Sequence, residues 1–205
     1  MTPEPPTSLQ DAIESLYKIA VTDEKTTSTI RLQALAKYCI QQLGVRGLAD
    51  ARAEVQIPGG GRPKQWDVSW SYHQKPRLAI SAKSILSNLA GTVPNRIDDL
   101  MGETTNVQMY SPEIVVGYIM IFDVSKDQPD RRDGSWFDVL SQRLSRLSGR
   151  RAPSWSVGMI EAAAVVKVDF SAGPRLLTSE DDLSRFFDEL VAEVINRNPS
   201  LRASQ

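Results

Sequence analysis

The stretch DVSWSYHQKPRLAISAKS, residues 67–84, decides the fold. On its first arm Trp66, Val68 and Trp70 alternate with Asp67 and Ser69. On its second, Leu78, Ile80 and Ala82 alternate with Ala79, Ser81 and Lys83. Side chains on a strand point to opposite faces with period two. The pattern therefore predicts a β-hairpin with a polar turn at its tip, and it puts Ser81 and Lys83 on one face. An aspartate on one arm and a lysine at the end of the other stand away from the apolar positions. An ordinary cross-strand ion pair accounts for them; a polar site at the strand ends also does.

Working outward, Ser8 caps a first helix carrying Leu9, Ile13, Leu16 and Tyr17, behind a proline-rich segment (1–7) expected to be disordered. A second helix is predicted over about 29–43, stopped by Gly44. AEVQI (53–57) alternates as a strand, and PGGGRP (58–63) reads as a mobile loop. After Lys83 a polar stretch leads to Pro94, which sets up a helix over about 95–108. IVVGYIMIFDV (114–124) is apolar on both faces, as in a central strand. A helix from Ser135, a second buried strand AAAVVKVDF (162–170) and a closing amphipathic helix complete the chain. Helices on both sides of a strand-rich middle predict one α/β domain (8–205) around a central mixed sheet.

The chain is 205 residues long, 41% hydrophobic and 24% charged, which suits a single domain with a true core. Its net charge of -1 means that any nucleic-acid contact must come from local segregation of charge. One cysteine, Cys39, rules out an intrachain disulfide and points to a reducing, cytoplasmic setting. No apolar run reaches the ~20 residues of a membrane span. With one histidine, His73 in the hairpin turn, a Cys/His zinc set is excluded and a Ser-His-Asp relay has no well-placed base. IPGGGRPK is not a phosphate-binding P-loop, because no Gly-Lys-Ser/Thr follows.

Asp67, followed fourteen residues later by Ser81-Ala82-Lys83 at the end of an apolar strand, resembles the PD-(D/E)XK nuclease motif. RPKQWDV (62–68), AKS (82–84) and NRIDDLMG (95–102) are similar to strings of the XhoI-type restriction endonucleases, over roughly residues 50–170. The resemblance implies a Mg²⁺-dependent, site-specific endonuclease acting on double-stranded DNA and leaving a 5′-phosphate. It also implies a homodimer and a cognate DNA methyltransferase acting on the same site. Asp67 would bind metal, the Ala82 carbonyl would complete the metal shell, and Lys83 would position the attacking water.

The chain departs from that motif at Ser81, where the family's second acid is a glutamate. A hydroxyl is a poor substitute for a carboxylate as a Mg²⁺ ligand. In some PD-(D/E)XK enzymes the strand carries Ser and the next helix supplies the acid. On a helix counted from Asn95, Ile97, Leu100, Met101 and Thr104 form the buried stripe. Asp98 and Glu103 flank it, and Asp99 faces away. The expected order for the relocated acid is Asp98, then Glu103, then Asp99. A solvated acidic helix start is the plain alternative for each.

For DNA contact the chain offers Arg62 and Lys64 beside the glycine loop, Arg96 in the NRIDDLMG string, and Arg143, Arg146 and Arg150. The last three recur at i, i+3 and i+7, with Arg131, Arg132 and Arg151 around them. Trp155 is the tryptophan expected at the surface. Two other readings stay open. In one, loss of the glutamate leaves a nuclease fold that binds DNA with little or no cleavage. In the other, an α/β interaction protein uses Asp67 and Lys83 only as an ion pair.

Overall fold

The computed structural model describes residues 7–26, 28–130 and 134–203. Arg131, Arg132 and most of the segment expected to be disordered (1–6) lie outside them. Thr7 is tied to the domain, its N–H donating to Gln41 Oε1 at 3.0 Å.

Helix α1 (Leu9–Tyr17) starts at the predicted Ser8, whose hydroxyl accepts from Asp11 N while the Asp11 carboxylate accepts from Ser8 N. A 3₁₀ turn (Thr29–Leu32) runs into α2 (Gln33–Gly44). Then follow β1 (Arg52–Ile57) and the hairpin β2 (Lys64–Tyr72) and β3 (Lys75–Ile85). His73 and Gln74, both at positive φ, make its two-residue turn. The chain continues through α3 (Leu89–Tyr110), β4 (Val115–Asp123), and a small ladder of β5 (Pro129–Asp130) with β6 (Gly134–Ser135). Next come α4 (Trp136–Leu147), β7 (Ala162–Asp169), β8 (Arg175–Leu176) and α5 (Glu180–Arg197).

The main sheet has the strand order β1-β2-β3-β4-β7-β8. β1, β2 and β3 are antiparallel; β3, β4 and β7 are parallel; β8 returns antiparallel. This is the mixed α/β sheet that the pattern predicted. β4, buried along its whole length, sits in the parallel core. Its odd positions, Val115, Ile119 and Ile121, pack with α1, α2 and α5. Its even positions, Val116, Tyr118, Met120 and Phe122, pack with α3 and α4. Gly117 lets α5 come close, since a Cβ there would lie 2.6 Å from Leu190 Cδ1. On β3, Leu78, Ile80 and Ala82 join the first layer, whereas Ala79 and Ile85 join the second. Ser81 and Lys83 therefore look toward α3.

Three sequence expectations are corrected. α3 begins at Leu89, with Asn88 in the left-handed region (φ 47°) before it, and Pro94 lies inside the helix. The burial of Leu89 and Val93 offsets a missing N–H that would otherwise disfavour this start. Met101 is 45% exposed, and the buried stripe runs through Val93, Ile97, Leu100, Thr104 and Val107 instead. Trp66 leaves the layer of Val68 and Trp70 and packs in the α3/α4 layer, so the face alternation breaks just before Asp67.

Candidate active site

The site begins where the hairpin ladder stops. The last register pair at that end is Val68 with Ile80. In an antiparallel pair a residue's N–H and C=O both face the same partner strand. Ala82, two residues past Ile80, thus presents both groups toward β2 with no backbone opposite to bond them. Asp67 meets this need, its Oδ2 accepting from Ala82 N at 2.8 Å. The same geometry leaves the Ala82 carbonyl facing the aspartate's edge.

Ser81 Oγ lies between two carboxylates, 3.4 Å from Asp67 Oδ2 and 3.3 Å from Glu103 Oε2. The acid that α3 brings to the serine is Glu103. Tyr118, the register partner of Ser81 on β4, donates its hydroxyl to Glu103 Oε2 at 2.8 Å. Two lysines reach the other oxygen: Lys64 Nζ lies 2.6 Å and Lys83 Nζ 3.3 Å from Glu103 Oε1. Asp98, the first-ranked acid, is exposed, and among the described residues it makes no hydrogen bond or ion pair. It lines an outer groove with Arg62, Lys64 and Asn106. Asp99 pairs with Arg96 at 2.8 Å. Counting Met101 as buried misplaces the centre of the stripe. With Val93 and Val107 in and Met101 out, the stripe turns by roughly 30° toward Glu103 and away from Asp98, at 3.6 residues per turn.

The two carboxylates differ electrically. Burial pushes the Asp67 carboxyl above the usual aspartate range; the Ala82 N–H and Lys83 pull the other way without cancelling it, and the Glu103 charge adds to the rise. Burial acts on Glu103 too, but Lys83, Lys64 and the Tyr118 hydroxyl together hold its carboxyl below the usual glutamate range. Burial and the neighbouring glutamate push the Tyr118 hydroxyl up, which keeps it a donor.

The donor set is all hard oxygen: Asp67 Oδ1, which takes no hydrogen bond among the described residues, the Glu103 carboxylate and the Ala82 carbonyl. Mg²⁺ accepts one or two carboxylates and fills the rest of its shell with water, so these residues fit it. A softer metal finds no histidine or thiolate here. Asp67, Ala82 and Lys83 open onto a cleft of about 500 Å³, which Arg31, Glu54 and Arg96 also line. Glu54 lies in β1 at φ 53°, and the register of β1 with β2 skips it beside Asp67.

The other predicted residues divide. Lys64 is the first residue of β2 and is committed to Glu103 rather than standing free beside the loop. The glycine loop is not loose: Gly60 N donates to Asn106 O at 2.7 Å, and Gly61 N donates to Asn106 Oδ1 at 2.9 Å. Asn106 Nδ2 returns a bond to Arg62 O at 2.8 Å, leaving the Arg62 side chain exposed. Arg143 is half-buried and Arg146 exposed on α4. Arg150 is corrected. The helix ends at Leu147, Gly149 turns the chain at φ 84°, and Arg150 is buried against Glu161 at 3.0 Å. It is not part of an arginine stripe; a glycine just past the last turn was the available stop signal. Trp155 is partly exposed, with the Arg197 guanidinium 4.3 Å from its ring centroid. Tyr118, Arg31 and Glu54 escaped the sequence reading, since no local spacing connects them to the hairpin. Among the described residues no helix is long and apolar enough to cross a membrane.

Compared with known proteins, the chain matches no family model, no curated protein and no solved structure.

Proposed function

We propose that this chain is a Mg²⁺-dependent, site-specific endonuclease of the type II restriction kind, hydrolysing phosphodiester bonds of double-stranded DNA. The observation that carries the reading is Glu103, a carboxylate from α3 lying 3.3 Å from the hydroxyl of the serine that stands where the motif wants an acid. Asp67, Glu103 and the Ala82 carbonyl would hold the ion. When bound, Mg²⁺ supplies Lewis-acid polarisation of the scissile phosphate and a more acidic water. Lys83, held at the strand end by Glu103, orients the attacking water and stabilises charge that builds on the phosphoryl oxygens. Tyr118 and Lys64 hold Glu103 in place. Cutting both strands calls for two such sites, hence a homodimer, and a host methyltransferase that protects the same sequence.

One observation favours the runner-up, a DNA-binding protein of nuclease fold with little cleavage. Both oxygens of Glu103 are already engaged, by two lysines on one side and by Ser81 and Tyr118 on the other. The test is cleavage of unmethylated plasmid and phage DNA, with Mg²⁺ or with chelator. Discrete fragments are expected only with Mg²⁺. Lys83→Ala and Glu103→Gln should each lower the rate by about 10²–10⁴-fold, while Asp98→Asn retains it. Salt-sensitive DNA binding with no Mg²⁺-dependent cutting would replace the nuclease reading with the runner-up.

A further inference from the structure

Arg31 stands in the 3₁₀ turn before α2, far up the chain from the hairpin, yet its side chain lines the same cleft as Asp67, Ala82, Lys83 and Arg96. Its Nε donates to Ser84 Oγ at 3.3 Å, one residue beyond Lys83, and its Nη1 donates to Ser28 O at 2.9 Å. These bonds fix the plane of the guanidinium and leave Nη2 without an acceptor among the described residues. No carboxylate pairs with Arg31 there either. Burial, then the like charge of Arg96, lower its proton affinity, and Asp67 only partly compensates. Arg96 is bound to Asp99 through Nη1, but its Nε is shielded from solvent and has no partner among the described residues. Two guanidiniums lie within electrostatic reach of each other, one half-buried with no ion-pair partner among the described residues and the other holding an unused donor, and an anion between them would relieve their like charge. The guanidinium fork matches a phosphate's oxygens.

We propose that Arg31 and Arg96 form a two-arginine clamp for a phosphate of the DNA strand lying in the Asp67–Lys83 cleft. The choice of ligand rests on the nuclease reading; the clamp's geometry does not. Arg31 is a binding residue that seats the strand, while Asp67, Glu103 and Lys83 act on the bond.

The experiment measures binding of a fluorescein-labelled mixed-sequence DNA duplex by anisotropy, in chelator so that nothing is cut, over a salt series. Cleavage with Mg²⁺ is measured in parallel. Arg31→Ala and Arg96→Ala should each weaken binding about tenfold or more. Each should also reduce the slope of log affinity against log salt by about 0.9, one phosphate contact. Arg31→Lys should keep the slope and lose only part of the affinity, a split that a merely structural role would not produce. Arg185→Ala, removing an exposed arginine on α5, controls for net charge. If the slope falls in the clamp variants while no form of the protein cuts DNA, the clamp stands and the nuclease reading fails. If the wild type cuts and Arg31→Ala keeps wild-type affinity and slope, the clamp is wrong and the nuclease reading survives. A wild type that does not bind the duplex overturns the clamp, and one that also leaves DNA uncut overturns the nuclease reading with it.

Discussion

Two clusters of charge sit on the central sheet, one buried and one half-buried, and they are built on opposite principles. At the starts of β4 and β7, Glu161 Oε1 accepts from Arg150 at 3.0 Å and from Arg197 at 2.7 Å, while its Oε2 accepts from Val116 N at 2.6 Å. The two arginines spend further donors on the carbonyls of Pro112 and Ile114, and Trp155 lies against both guanidiniums. Arg197 Nε is the exception, a buried donor with no partner among the described residues. In the other cluster the lysines converge on Glu103, and Asp67 keeps one short hydrogen bond, to Ala82 N. The first cluster satisfies its carboxylate and holds the strand ends to α5. The second leaves a half-buried carboxylate on a cleft wall with one oxygen unused. A buried carboxylate that is fully paired reads as architecture, and a half-buried one left short of partners on a cleft wall reads as a site awaiting a ligand.

The largest effect should come from breaking the satisfied cluster. Glu161→Ala leaves Arg150 and Arg197 buried without their shared acceptor. Loss of one partner from a buried pair costs about 3–5 kcal/mol. Urea unfolding of this variant should show that loss, a large share of the stability of a domain this size. A change below about 1 kcal/mol would mean that the carbonyls and Trp155 carry the cluster, and the contrast with the site would dissolve.

Asp67→Asn should behave in the opposite way. The amide oxygen can still accept from Ala82 N, and a charge that burial disfavours is gone. Stability should hold or rise by about 1 kcal/mol, while Mg²⁺-dependent cleavage is lost. A variant destabilised as much as Glu161→Ala would show that Asp67 is a structural ion-pair partner, as the plain reading of the hairpin holds.

The contrast was only half visible in the chain. Period-two alternation gives away β2 and β3, because a strand's faces are written in adjacent residues, and a run apolar on both faces gives away the buried β4. Asp67, Ser81 and Lys83 could be found as strand-end residues for the same reason. Glu103 is legible as a flank position, level with Asp98 while Met101 counts as buried; Asp98 comes first only because it lies fifteen residues past Lys83, close to the spacing in the motif's relatives. The start of α3 was hidden because Pro94 imitates a first-turn proline. The arginine periodicity carries on to Arg150 past a helix that Gly149 has ended. The partners of Glu161 could not be read at all: Arg197 lies 36 residues away along the chain, and packing alone brings them together. Arg31, 53 residues from Ser84, was hidden in the same way.

The smallest effect is the acid limb of stability, and it separates the two carboxylates of the site. Glu103 titrates below its ordinary value of 4.5 in the folded protein. Its contribution is present above that value and is lost as pH falls through the lower, folded one. Asp67 titrates above its ordinary 3.8, so the folded state holds its proton the more tightly. Its charge costs stability at neutral pH, and that cost disappears as pH falls through the raised value toward 3.8. The two slopes oppose each other in the wild type. In Asp67→Asn only the Glu103 slope remains. The stability gained by Asp67→Asn should therefore be greatest at neutral pH and shrink to nothing below the ordinary aspartate range. Urea midpoints of both proteins at neutral, mildly acid and strongly acid pH read this directly. A gain that stays constant across the series would mean that Asp67 is no more burdened by burial than a surface aspartate, and the site would lose its claim to an unmet charge.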